Sequence, residues 1–206
     1  MARRKLDADL AEKILDEVMR ETAQGGTGHV STLKIAAKLG ISEPTVFLRY
    51  KSKQILMDAA FSLAWQRFNH LPGYAVVRSK AQAVSFEDFR PVFQDKLIHR
   101  KEVIYLHHYL ASIYYHHDFV KQVRQEYFAR LDETILSLYG PLPTEPVHMI
   151  EECFLKAEID NLSYFADRLY PASEDNLRLL FSALKGFFWT PLEELAGKKN
   201  PHRKTG

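Results

Sequence analysis

The chain has 206 residues, 28 Lys+Arg against 26 Asp+Glu, and 46% hydrophobic content, the balance of an ordinary globular protein with room for one large domain or two small ones. No apolar run approaches the roughly 20 residues of a membrane span, and the opening MARRKLDADL is charged without an apolar core, so neither an anchor nor a secretion signal is expected, and the cytoplasm is the expected compartment. The single cysteine, Cys153, excludes an intrachain disulfide and a multi-thiolate metal site, and within an apolar helical stretch it is expected to be a small core residue.

The most telling stretch runs from Val30 to Lys53, VSTLKIAAKLGISEPTVFLRYKSK. Ser31 is placed to cap a helix with Leu33, Ile35, Ala36 and Leu39 on its apolar positions, and Gly40 supplies a residue that accepts a left-handed C-terminal turn. After Ile41, Ser42 is a second N-cap candidate; Glu43 suits the positive end of the helix dipole, and Pro44 falls in the first turn, where a missing N–H costs nothing. A second helix from Glu43 to about Tyr50 would turn Val46 and Tyr50 inward with Ile35, leaving Glu43, Pro44, Thr45, Phe47 and Arg49 wholly or partly outward. Burying a Phe is worth roughly 1.5–3 kcal/mol, so an outward Phe47 predicts a partner surface that covers it. Ser52 then caps a third helix, about Lys53 to Asn69, and places Lys53 in a first turn where free N–H groups and an ammonium together suit a phosphate. Charge follows the same division: residues 1–70 carry 11 Lys+Arg against 8 Asp+Glu, and the remainder 17 against 18.

Beyond Asn69 the character changes. Leu71 to Ala83, with Pro72, Gly73 and Ser79, reads as a linker or loop. Ser85 and Asp88 have capping-box spacing ahead of Phe86, Phe89 and Phe93, and Pro91 is expected to kink that helix or delay its start. A further apolar run from about Lys101 carries Val103, Ile104, Leu106, Leu110 and Ile113 toward His116-His117-Asp118. The next helix is expected from about Phe119 to Tyr139, with Gly140-Pro141 ending it. Two more follow, about Val147 to Leu169 and Ser173 to Trp189, with Pro191 as the stop and a polar tail, 197–206, expected to be disordered. No sustained strand alternation occurs, so the expected class is all-α.

The first third of the chain, about Leu6 to Phe61, resembles the DNA-binding domain of the TetR family of transcriptional regulators. That pattern is Ile-Leu, a Gly-aromatic turn, Ile-Ala, Gly-Val-Ser, then Thr-Leu-Tyr-x-His-Phe-x-Ser-Lys. The matching residues are Ile14-Leu15, Gly26, Ile35-Ala36, Gly40-Ile41-Ser42, Thr45-Val46-Phe47, Arg49-Tyr50 and Ser52-Lys53. Thr22 and Thr27 stand where the family usually packs aromatics and Lys34 where the capping box is usually acidic, which predicts a looser first helix. Phe47 for the usual Tyr removes a phosphate-bonding hydroxyl, and Arg49 for the usual His adds a permanent charge.

The resemblance implies a three-helix helix-turn-helix domain over 1–70 and a larger helical domain for ligand binding and dimerisation over 71–196. It further implies a homodimer, most simply a ligand-responsive repressor, that places Glu43 to Tyr50 of each subunit in successive major grooves of a near-palindromic operator of double-stranded DNA. Ser31, Thr32, Glu43, Pro44, Thr45, Phe47, Arg49 and Lys53 are the expected DNA-facing residues, with Thr45, Pro44 and Phe47 on bases or thymine methyls and Thr32, Arg49 and Lys53 on phosphates. The last two helices are apolar over much of their circumference and need two burying surfaces, so Leu155, Ile159, Leu162, Leu177, Leu180, Phe181, Leu184 and Phe188 are expected at the dimer contact. Tyr105, His108, Tyr109, Tyr127, Phe128, Phe154 and Glu158, polar or aromatic within apolar helices, are the candidates to line a pocket for an unknown small-molecule effector. His107, His108, His116 and His117 carry no i, i+4 His pair and no acidic partner, so no metal site and no cofactor is expected. No phosphate-cradling Gly loop, HExxH or nucleophile elbow points to an enzyme. Two other classes stay open: a regulator controlled by a protein partner, and a helical small-molecule enzyme.

Overall fold

The computed structural model describes residues 2–69, 85–112, 117–169 and 171–199. Among these residues the chain is helical and contains no strand: α1 (Ala2–Gly25), a 3-10 turn (Thr27–His29), α2 (Thr32–Leu39), α3 (Glu43–Tyr50), α4 (Lys53–Asn69), α5 (Phe86–Ile98), α6 (Arg100–Leu110), α7 (His117–Tyr139), α8 (Thr144–Arg168), α9 (Glu174–Phe187) and α10 (Trp189–Lys199). The expected linker, 71–83, lies outside the described residues. No described helix is long and apolar enough to cross a membrane.

The chain divides into two compact units, 1–70 with 99–121, and 71–98 with 122–206. Residues 99–121, on the far side of the expected boundary at 70, therefore pack with the N-terminal helices. The cause is visible in α6, where Val103, Tyr105, Leu106 and Tyr109 are fully buried. Tyr105 donates its hydroxyl to the Met57 carbonyl at 2.7 Å, and Tyr109 donates to Asp58 Oδ1 at 2.5 Å, so both polar tips are satisfied on α4. Arg67 of α4 adds a three-way tie, donating to Asp16 (2.7 Å) and Glu12 (2.5 Å) of α1 and to Glu102 (2.8 Å) of α6.

The first helix is docked by apolar residues on its buried face and by ion pairs to its neighbours. Ile14, Val18 and Met19 are buried, and so are Thr22 and Thr27, the positions expected to loosen it. Thr22 donates its hydroxyl to the Val18 carbonyl at 2.9 Å, within its own helix. Lys38 of α2 bonds Glu21 at 2.5 Å and lies 3.5 Å from Glu17, one turn earlier on α1. The hydrogen bond from Lys38 holds the buried Glu21 carboxyl below its usual value.

In the second unit Ser85 donates its backbone N–H (3.1 Å) and hydroxyl (2.7 Å) to Asp88, so α5 begins at Phe86, ahead of Pro91, and is not delayed. Gly140, at φ 71°, closes α7 with a bond from its amide to the Leu136 carbonyl. One expectation fails at the C-terminus. Pro191 does not terminate helix; it lies in the first turn of α10, where a proline has no helical amide bond to lose, and the helix continues to Lys199. Residues 197–199 of the expected disordered tail are thus helical, and the rest of that tail lies outside the described residues. The core of this unit is aromatic: Phe89 packs edge-on against Trp189 (centroids 4.6 Å apart), and Phe154 packs against Phe188 (4.4 Å).

Candidate nucleic-acid interface

The turn between α2 and α3 is built from local backbone chemistry. Ser31 is extended, and its hydroxyl accepts the Lys34 N–H at 3.4 Å; with Lys at that position the return half of a capping box cannot form. Gly40 takes the left-handed conformation (φ 65°, ψ 30°), which turns its amide onto Ala37 and that of Ile41 onto Ala36, satisfying the last carbonyls of α2. Ser42 occupies the cap position of α3 but does not cap it. Its hydroxyl bonds Thr45 Oγ1 at 2.8 Å, a side-chain pair that replaces the expected bond to a helix amide.

Packing fixes which face of α3 looks out. Val46 and Tyr50, four residues apart, are buried as their spacing predicts, and Tyr50 donates its hydroxyl to the Ala11 carbonyl of α1 at 3.3 Å. The opposite stripe, at i, i+3, i+4 and i+7, is Pro44, Phe47, Leu48 and Lys51, all exposed. Phe47 is 39% exposed and Leu48 83%, an apolar ridge on an eight-residue helix that contributes little to the core of its own unit. Thr45 and Arg49 flank this ridge, half-buried. Thr32, half-buried at the start of α2, donates its hydroxyl to Glu43 Oε1 at 2.5 Å, so two expected DNA-facing residues are joined and hold the starts of α2 and α3 together. Behind α3 the Ser52 hydroxyl accepts the Ile55 N–H at 3.2 Å, capping α4 with Lys53 as its first residue.

Leu48 and Lys51 were not among the expected contacts. The signal was available: once Val46 and Tyr50 are assigned inward, helical spacing puts Pro44, Phe47, Leu48 and Lys51 in one outward row. Lys51 has a further property that spacing does not show. It is the one non-glycine residue with positive φ among the described residues (φ 58°, ψ −31°), held by its amide on Phe47 O (2.7 Å) and by Ser52 N–H on Tyr50 O (2.6 Å). That tight turn redirects the chain from α3 into α4 and sets where Lys53 and the N-terminus of α4 lie.

The remaining expected residues fall as follows. Tyr105, His108 and Tyr109 belong to the first unit, with Tyr105 and Tyr109 engaged in its core; Phe128, Phe154 and Glu158 belong to the second. The side chain of Tyr127 lies outside the described ones. Phe128 is half-buried beneath the Arg124 guanidinium, 5.4 Å from its centroid, and the buried Glu158 carboxylate accepts from the buried Lys96 ammonium. The eight residues expected at the dimer contact are all buried within the chain itself, because α5, α8, α9 and α10 pack on one another through these side chains. They are core residues and are not available to a second subunit. The outward residues of α8 and α9 are different ones, among them Met149, Tyr164 and Leu179, which is 67% exposed. Cys153, expected in the core, is exposed on the same outer side of α8.

Residues 14–60 match the family model described as bacterial regulatory proteins, tetR family. The match runs from the buried face of α1 through α2 and α3 into α4, and so covers the whole of the turn, the outward ridge and the Ser52 cap of α4 described above. No curated protein and no solved structure is matched. Residues 14–60 thus carry a DNA-binding domain of the tetR type, and the match supports a DNA-binding transcriptional regulator.

Proposed function

We propose that the protein is a homodimeric repressor that inserts α3 of each subunit into successive major grooves of a near-palindromic operator and releases it when an effector binds the second unit. The observation that carries the reading is the outward row of α3, where an exposed Phe and Leu stand between Thr45 and Arg49 on a helix fixed from behind by Val46 and Tyr50. Phe47 and Leu48 suit thymine methyls and sugar edges, Thr45 a base edge, and Arg49, Lys51 and Lys53 the phosphates on either side. Because net charge in the first 70 residues is modest, affinity comes from a few placed cations counted twice by symmetry.

The dimer face is assigned to the outward sides of α8 and α9, with Met149, Tyr164 and Leu179 at its centre, since these are large apolar side chains left uncovered by the chain. For the effector, Phe154 and Glu158 are the strongest of the expected residues, because the Glu158–Lys96 pair sets an ammonium and a carboxylate among buried aromatics. Selection of bound sequences from a random DNA pool tests the proposal. A palindrome with half-sites about one helical turn apart supports it, and enrichment of no sequence would sink it.

A further inference from the structure

The second unit brings three metal-ligating side chains together from two helices. His148 and Glu151 are three residues apart on α8 and so share one face; Asp132 reaches them from α7. The ligand atoms of the three lie within 4.8 Å of one another, and His148 Nδ1 is 3.2 Å from Glu151 Oε2. An ion held at about 2.0–2.2 Å by each ligand sets neighbouring ligand atoms roughly 3 Å apart. The His148–Glu151 pair is already at that spacing, and the exposed Asp132 closes the set by side-chain rotation.

Glu151 supplies the independent reason to expect an ion. Its side chain is wholly buried, one oxygen faces His148, and the other, Oε1, has no hydrogen-bond donor among the described residues. A buried carboxylate oxygen facing a second carboxylate without a proton donor is a costly arrangement unless a cation or a shared proton sits between them.

We propose that Asp132, His148 and Glu151 form a binding site for a divalent first-row transition-metal ion, clamping α7 to α8. The donor set of one imidazole and two carboxylates suits Zn²⁺, Co²⁺ or Mn²⁺ over Mg²⁺, which favours all-oxygen ligands and retained water, and three protein ligands leave positions open for water or an effector atom. None of the three residues belongs to the DNA-facing set, so this site stands or falls separately from the operator reading.

The experiment uses the full chain, stripped with chelator, and titrates Zn²⁺ calorimetrically and Co²⁺ by visible absorption. The expected result is one ion per chain, an imidazole-bearing Co²⁺ spectrum, a rise in melting temperature on loading, and Mg²⁺ binding at least about tenfold weaker. Asp132→Asn, an exposed change that preserves shape, and His148→Ala should each weaken binding by about tenfold or more while leaving the helical circular dichroism intact. Glu151→Gln should do the same, and where its own folding suffers, the two exposed variants decide. Absence of saturable Zn²⁺ and Co²⁺ binding overturns the proposal. So does binding undiminished in Asp132→Asn and His148→Ala, since other histidines would then hold the ion, and so does Mg²⁺ binding as tight as Zn²⁺.

Discussion

Removing one cation from the edge of α3 or from the start of α4 should change how DNA binding responds to salt by an amount that the architecture fixes. Arg49 flanks the outward row of α3 and Lys53 opens α4, both half-buried and outside the apolar core, so Arg49→Ala and Lys53→Ala should keep the fold. Each phosphate contact contributes about 0.9 to the slope of log affinity against log salt, so a dimer that loses one contact per subunit loses about 1.8 from that slope. Between about 50 and 200 mM salt, the wild type should then lose roughly 12-fold more affinity than either variant. The loss should be the same on operator and unrelated duplexes, because a phosphate contact positions without specifying. Fluorescence anisotropy of a labelled duplex at four or five salt concentrations measures it. Unchanged slopes in both variants would refute the placement of α3 and the α4 N-terminus against the DNA backbone.

Four further outcomes follow from single residues. Lys51→Gly relieves a positive φ that a side chain tolerates poorly, and should raise the urea midpoint by an amount corresponding to about 1 kcal/mol while weakening DNA binding through the lost charge. Leu179→Glu should turn the proposed dimer into a monomer on sedimentation with the fold of each chain retained, whereas Leu180→Ala, its buried neighbour, should cost about 2–5 kcal/mol of stability. Glu21 titrates below the usual carboxylate value of 4.5 chiefly because Lys38 donates to it, so the pair stabilises the fold above that pH and ceases to as acid protonates Glu21. The gap in urea midpoint between wild type and Lys38→Met should accordingly hold steady from about pH 6 to 9 and shrink toward zero in acid; a gap that persists in acid would mean that Lys38 acts through packing alone.

Much of the reading unit was legible because its determinants are local. Ser31, Gly40 and Ser52 act through bonds within three or four residues of themselves, and Val46 and Tyr50 announce their burial by spacing. Ser42 misled because a hydroxyl at a cap position can also bond a side chain, here that of Thr45, and sequence does not rank the two. Pro191 misled for a similar reason: proline ends one helix and begins another equally well. The assignment of Leu155, Leu180 and Phe188 to a dimer contact failed because an apolar circumference shows that two surfaces are needed, and not whether the second belongs to another chain. Here α5 and α10 supply it. The Asp132–His148–Glu151 group was invisible for the opposite reason, since it depends on where the Gly140 turn lays α8 against α7 and on no motif within either helix.

The central claim is that the outward row of α3, together with Thr45 on its flank, reads base edges. Parallel selection from one random DNA pool with the wild type and with Thr45→Ala tests it most directly. The account predicts the same palindrome from both proteins, with preference relaxed at one symmetry-related position in each half-site of the variant. Identical preferences at every position would contradict it.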